Sequence, residues 1–124
     1  MDFYYHLILP SSLDHVKKNG ITADEEGYIY LLATKSLEIT DTVAINQLFT
    51  DIYYVIEVNP YSFEAELEPD NVAEFTAAFH RRIKQEYIEP YYIKLLGKRK
   101  VNVDRVQKYQ AKQIAKLVKR LNSK

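Results

Sequence analysis

Phe3-Tyr4-Tyr5-His6-Leu7-Ile8-Leu9 is apolar or aromatic at every position except His6. A short run of this kind, without strict alternation, predicts a strand covered on both faces and therefore central in its sheet. Pro10 ends it. Ser11 predicts a helix cap, with Asp14 completing a capping box, and Asn19-Gly20 predicts the end of a short helix over about 12–18. Ile21 to Glu26 reads as a polar connection. Gly27 then opens a second strand, Tyr28-Ile29-Tyr30-Leu31-Leu32-Ala33. Thr34 or Ser36 caps a second helix to about Phe49, with Leu37, Val43, Ala44 and Leu48 on one side. Ile52 to Val58 forms a third strand, rich in β-branched and aromatic residues.

Beyond Asn59-Pro60 the pattern changes. Phe63, Ala65 and Leu67 alternate with Glu64, Glu66 and Glu68, which predicts a short edge strand. Pro69-Asp70-Asn71 turns, Val72 to Phe79 reads as one or two helical turns, and Arg81 to Ile88 reads as strand. Pro90 stops that strand before a tight turn at Tyr91-Tyr92-Ile93, and Ile93 to Val101 gives one more strand. From Asn102 the period becomes helical, with Val103, Val106, Gln110, Ile114, Leu117, Val118 and Leu121 on one face. The order β-α-β-α-β, then further strands and a late helix, predicts the α+β class, not a doubly wound sheet. It divides the chain into a domain over 1–101 and a basic helix over 102–124 packed on it.

The composition fits this. With 124 residues, 47% apolar and 27% charged, the chain can bury a real core and is too apolar for intrinsic disorder. The absence of cysteine excludes disulfides, thiolate metal sites and cysteine nucleophiles. No apolar run approaches the ~20 residues that span a bilayer. Met1-Asp2-Phe3-Tyr4-Tyr5-His6 lacks a basic leader, so no signal peptide and a cytoplasmic location are expected. The net charge of 0 hides a separation. Residues 1–93 balance at −10, from 16 acidic and 6 basic residues, and residues 94–124 at +10, from 11 basic residues against Asp104. Either the basic end docks on the acidic body or it meets an acidic partner.

Three glycines in all leave little room for a backbone phosphate cradle, and neither G-x-S-x-G nor H-E-x-x-H is present. No metal site is expected, His15 reading as a surface histidine on the first helix. His6 sits in the apolar first strand, where a histidine is either tied to a backbone carbonyl or exposed in a site. On the last helix, Lys108, Lys112, Lys116 and Arg120 recur at i, i+4 and form a cationic line able to meet phosphates or an acidic protein. A membrane role is not expected, because the apolar face of that helix carries no tryptophan or phenylalanine.

Five segments in order carry a resemblance: Tyr5-His6 on the first strand; Asn19-Gly20-Ile21 after the short helix; Gly27-Tyr28-Ile29-Tyr30-Leu31; the apolar strand Tyr54-Val55-Ile56-Glu57-Val58; and Ile88-Glu89-Pro90-Tyr91-Tyr92-Ile93. Together they resemble the ADP-ribosyltransferase fold family, in particular its small prokaryotic members and its RNA 2′-phosphotransferase branch, over roughly residues 3–100. The resemblance implies a split, bent sheet holding NAD, with transfer of ADP-ribose to protein or nucleic acid. It implies that His6 bonds a ribose hydroxyl and that Tyr30, or else Tyr28, stacks on nicotinamide, since an electron-rich ring attracts a cationic pyridinium. The family's glutamate would fall near His80 to Arg82, where this sequence has no acid; Glu86 is the one carboxylate on that strand. Leu32 also departs from the family's serine or threonine. Arg81-Arg82 in the cleft would instead resemble the phosphotransferase branch, in which cationic groups hold an RNA 2′-phosphate; such an RNA-end-processing enzyme would use His6, Arg81 and Arg82 with the basic tail, and His80, Arg82 and Glu86 are the candidate catalytic residues. A non-catalytic interaction protein on the same scaffold is the remaining reading.

Overall fold

The computed structural model describes residues 2–70 and 75–123. In chain order it contains β1 (Tyr4–Ile8), α1 (Leu13–Asn19), β2 (Ile21–Thr22), β3 (Tyr28–Leu32), α2 (Leu37–Gln47), β4 (Ile52–Val58), β5 (Glu68–Pro69), β6 (His80–Lys84), β7 (Tyr87–Ile88), β8 (Ile93–Lys100) and α3 (Val103–Asn122). The fold is α+β. Six strands form one sheet in the order β5-β6-β3-β1-β4-β8, every neighbour antiparallel, and β2 pairs β7 separately.

β1 is central, as its apolar run requires, but its two sides are unlike. It pairs β4 along its whole length, from Tyr4↔Val58 to Ile8↔Tyr54. Against β3 the paired position is Tyr5↔Leu32 alone. The sheet therefore consists of two halves, β5-β6-β3 and β1-β4-β8, joined at one point.

Alternation along the strands sends side chains into two cores. Leu7, Leu32, Tyr53 and Val55 pack under α2 and the start of α3, with Ile39, Val43, Val106 and Tyr109. Ile8, Ile29, Leu31, Ile56 and Ile83 face the other way, against Val16 of α1 and the Ile21–Ile88 pair of the small sheet. Gly20 makes that second packing possible: at φ +81° it ends α1, and a Cβ there would lie 2.0 Å from the Ile88 carbonyl oxygen. Proline at the first position pre-sets three single-turn helices, Pro10–Ser12, Pro60–Ser62 and Pro90–Tyr92.

Several local expectations are corrected. Ser11 lies inside the Pro10–Ser12 turn; Ser12 precedes α1, and its side chain makes no cap bond. Ile21-Thr22, read as connection, is a strand. Leu37 of α2 is exposed, whereas the consecutive residues Ile39 to Ala44 are all buried, so α2 is covered nearly all round instead of on one stripe. The alternating Phe63-Glu64-Ala65-Glu66-Leu67 is irregular, and pairing begins only at Glu68. The strand expected over Arg81–Ile88 breaks at Gln85-Glu86, because Gln85 is buried and turns to bond Ser62, Tyr87 and Glu64. Of the helical turns expected over Val72 to Phe79, residues 71–74 lie outside the described residues, and a single turn occupies Ala77–Phe79. Among the described residues no helix is long and apolar enough to cross a membrane.

Candidate functional site

The gap between β1 and β3 is where the two halves of the sheet part, and His6 fills it. Its Nδ1 lies 2.8 Å from the Tyr30 carbonyl oxygen. A carbonyl only accepts, so Nδ1 carries the proton. Burial pushes the ring's pKa below the ordinary histidine value, against the pull of the carbonyl, and the imidazole stands neutral. Nε2 is then an acceptor on a half-buried ring, open to solvent and without a hydrogen bond from a described residue.

A cavity of about 270 Å³ opens here. Leu7, Leu32, Val43 and Leu48 give it apolar walls; His6, Tyr30, Gln47 and His80 give it polar groups. His80 is buried, with Nε2 2.7 Å from Thr76 Oγ1 and 3.4 Å from Gln47 Nε2. Burial lowers its pKa, the Asp70 carboxylate opposes this and the Arg81 charge adds to it. A neutral ring accepting at Nε2 from both neighbours satisfies this geometry. Phe49, next to the lining residue Leu48, is 85% exposed at φ +53°, a left-handed conformation that a bulky residue seldom adopts. The sequence reading missed it; an aromatic just past a helix end, where glycine is usual, was the available signal.

His6 and Tyr30 both line this cavity, but they meet through the Tyr30 carbonyl and not through its ring. Alternation puts His6 on the face of Tyr4 and Ile8 and Tyr30 on the face of Leu32, so the two side chains leave the sheet on opposite faces and are not brought together as the resemblance implied. The Tyr30 hydroxyl donates to Asp24 Oδ2 at 2.7 Å, which raises the phenol to about 12; the Tyr28 backbone N–H and then this hydroxyl lower the carboxylate. Tyr28 stands beside it, ring centroids 6.5 Å apart, and carries the Arg82 guanidinium at 4.2 Å and Lys84 Nζ at 4.7 Å over its ring.

The basic pair expected to act together is divided. Arg82 shares the face of Tyr30, its register partner, and its Nε sits 3.7 Å from Glu68. Arg81 lies on the opposite face and donates to the Ala78 and His80 carbonyls. Glu86 is not on the strand at all: β6 ends at Lys84, and Glu86 is exposed in the bend before β7. No carboxylate is found among the described residues lining the cavity, and among the described residues no group of acidic and histidine side chains could hold a metal ion.

Lys108, Lys112, Lys116 and Arg120 are all exposed. The helix carrying them is fixed at its other end by Asp41, which sequence reasoning did not single out. This carboxylate is fully buried in α2. It accepts from the Tyr53 hydroxyl, from the Asn102 backbone N–H at 3.1 Å and from Arg105 Nη1 at 2.9 Å. Burial, and then the bond to Asp41, raise Tyr53 to about 12. Arg99 Nη1 adds bonds to Thr40 Oγ1 and the Lys35 carbonyl. An aspartate within Ile39-Thr40-Asp41-Thr42-Val43-Ala44, where no polar stripe exists to receive it, was the legible sign.

No protein-family model, curated protein or solved structure matches the chain.

Proposed function

We propose that the chain binds a nucleotide of the NAD or ADP-ribosyl type in the gap between β1 and β3, on a sheet of the split ADP-ribosyltransferase kind. The observation that carries this reading is the joint itself: two half-sheets paired at Tyr5↔Leu32, with a neutral His6 set between them and its Nε2 left as an acceptor. A ribose hydroxyl is a donor of the right strength for such a nitrogen, and it would add a bond where the protein supplies none.

The residues fit part of the ligand. A cavity of about 270 Å³ is near the small end of ligand pockets, which begin at ~300 Å³, and suits a ring with its ribose more than a whole dinucleotide. Apolar walls from Leu32, Val43 and Leu48 suit a flat heterocycle. When bound, NAD supplies an activated glycosidic bond; the chain's own part would be to orient the ribose through His6 and keep water from the ring.

The lack of a carboxylate among the described lining residues favours binding without transfer, the reading in which the scaffold serves an interaction or regulatory role. An acid would be needed beside the sugar to stabilise the positive charge that develops as nicotinamide leaves. Arg82, ion-paired to Glu68, and Arg81, on the other face, do not form one phosphate clamp, so the phosphotransferase reading is weaker.

Calorimetric titration with NAD and with ADP-ribose, beside an assay of nicotinamide release, tests the reading. Saturable binding is expected, weakened at least tenfold in His6→Ala. Release without binding loss in Glu86→Gln would exclude Glu86 from catalysis. No heat with either nucleotide up to millimolar concentration would overturn the proposal.

A further inference from the structure

α3 is two surfaces in sequence. Over its first two turns Val106 and Tyr109 are buried, the Tyr109 hydroxyl donates to the Phe75 carbonyl, and Arg105 meets Asp41. Beyond Gln113 every described residue of the helix is exposed. Ile114, Leu117, Val118 and Leu121 are then 49%, 50%, 48% and 58% exposed. They stand at i, i+3, i+4 and i+7, one continuous stripe. Ala111 and Ala115 border it on one side, small enough to let a second helix approach. The expected stripe Val106-Ile114-Leu117-Leu121 thus packs on the domain at Val106 alone.

We infer that the distal half of α3 is a docking surface for an acidic amphipathic helix of another protein. Charge selects this occupant. From residue 111 to 122 the helix carries Lys112, Lys116, Lys119 and Arg120 and no acid. Arg120 lies one turn from Leu117 and Lys119 one turn from Ala115, so cations border the apolar stripe on both sides. A partner seated on the stripe with carboxylates at its own flanks would pair with them. A second copy of α3 would bring four like charges against four. A phosphate backbone would neutralise the lysines but leave four large apolar side chains in water. A lipid surface would be met without an aromatic anchor, since the only aromatic of α3, Tyr109, is buried. The surface also gains from being covered: Lys112 and Lys116 repel along the helix, so a solvated distal half is marginal until an acidic neighbour relieves it. This inference is independent of the nucleotide cleft.

The probe is a synthetic helical peptide of about three heptads, leucine at a and d and glutamate at e and g, titrated into the full chain at low and at moderate salt. Saturable binding is expected, weakening at least tenfold as salt rises from about 50 to 500 mM. Leu117→Glu/Leu121→Glu should abolish it and Lys116→Glu/Arg120→Glu should weaken it at least tenfold, with unfolding midpoints unchanged in both. The same peptide with lysine at e and g should not bind. Four results would each overturn the proposal: no binding of the acidic peptide; binding unchanged in Leu117→Glu/Leu121→Glu; a dimer by light scattering that the same variant dissolves; or tighter, stripe-dependent binding to phosphatidylserine vesicles or to duplex RNA than to the peptide.

Discussion

The pKa values of His6 and His80 are lowered by the same leading cause, the desolvation that packing imposes on a charged ring. Both pKa values lie below the ordinary histidine value of 6.5. The unfolded chain takes up a proton near that pH; the folded chain takes it up only at lower pH. Between the two values the unfolded state binds more protons, so stability rises with pH in that window. Stability from this source is complete above about pH 6.5 and is lost as pH falls through that value toward the folded pKa. The urea midpoint should therefore be lower at about pH 5.5 than at about 7.5. His6→Gln/His80→Gln should flatten the difference; an unchanged slope in the double variant would assign it to other groups.

At the scale of the element, α3 is held by its first two turns and by one buried carboxylate. Asn102 caps the helix through its side chain, accepting from the Arg105 N–H at 3.1 Å. Asp41 takes the Asn102 N–H and the Arg105 guanidinium, so the cap and the ion pair share one anchor. Removing one partner from a buried pair leaves the rest desolvated without compensation, a cost of about 3–5 kcal/mol. Asp41→Ala should cost that much in urea unfolding, because it strands Tyr53, Asn102 and Arg105 together. Arg105→Ala should cost less, since Arg105 is partly solvated and Asp41 keeps two bonds. Equal costs would mean that the ion pair alone holds the helix.

For the whole molecule, the charge separation resolves into one buried ion pair and a solvated cationic surface. Among the described residues the acidic body pairs with α3 at Asp41, and the other cations of α3 are exposed. The distal helix adds little buried surface, so a chain ended after Lys112 should keep the unfolding free energy of the full chain to within about 0.5 kcal/mol, the scale of surface changes. Ending the chain at Val101 removes Val106 and Tyr109 from the core and should cost more than 3 kcal/mol, on the scale of deleting a large core side chain. A full-size loss from the shorter deletion would show that the distal half does pack on the body.

The sequence by itself determined the strands that are apolar on both faces, the helix ended by Gly20 and the long basic helix. Each is written in a local pattern: β1 in an unbroken run, α1 in its glycine, α3 in a period of 3.6. It also showed that His6 was unusual, because a polar ring in the central strand must find a partner. What it could not show was which atom that partner would be. The Tyr30 carbonyl became available only because β1 and β3 part after one pair, and strand register is settled by contacts far apart in sequence. The same is true of Asp41. Its partners Tyr53, Asn102 and Arg105 come from β4 and from the start of α3, far along the chain, and nothing local says that a buried charge will be met. Glu86 left its strand because Gln85 found better bonds in the interior. α3's distal half also ran against a local pattern that was read correctly: the stripe is real, but the body ends before the helix does, and the length of a domain's surface is a tertiary quantity.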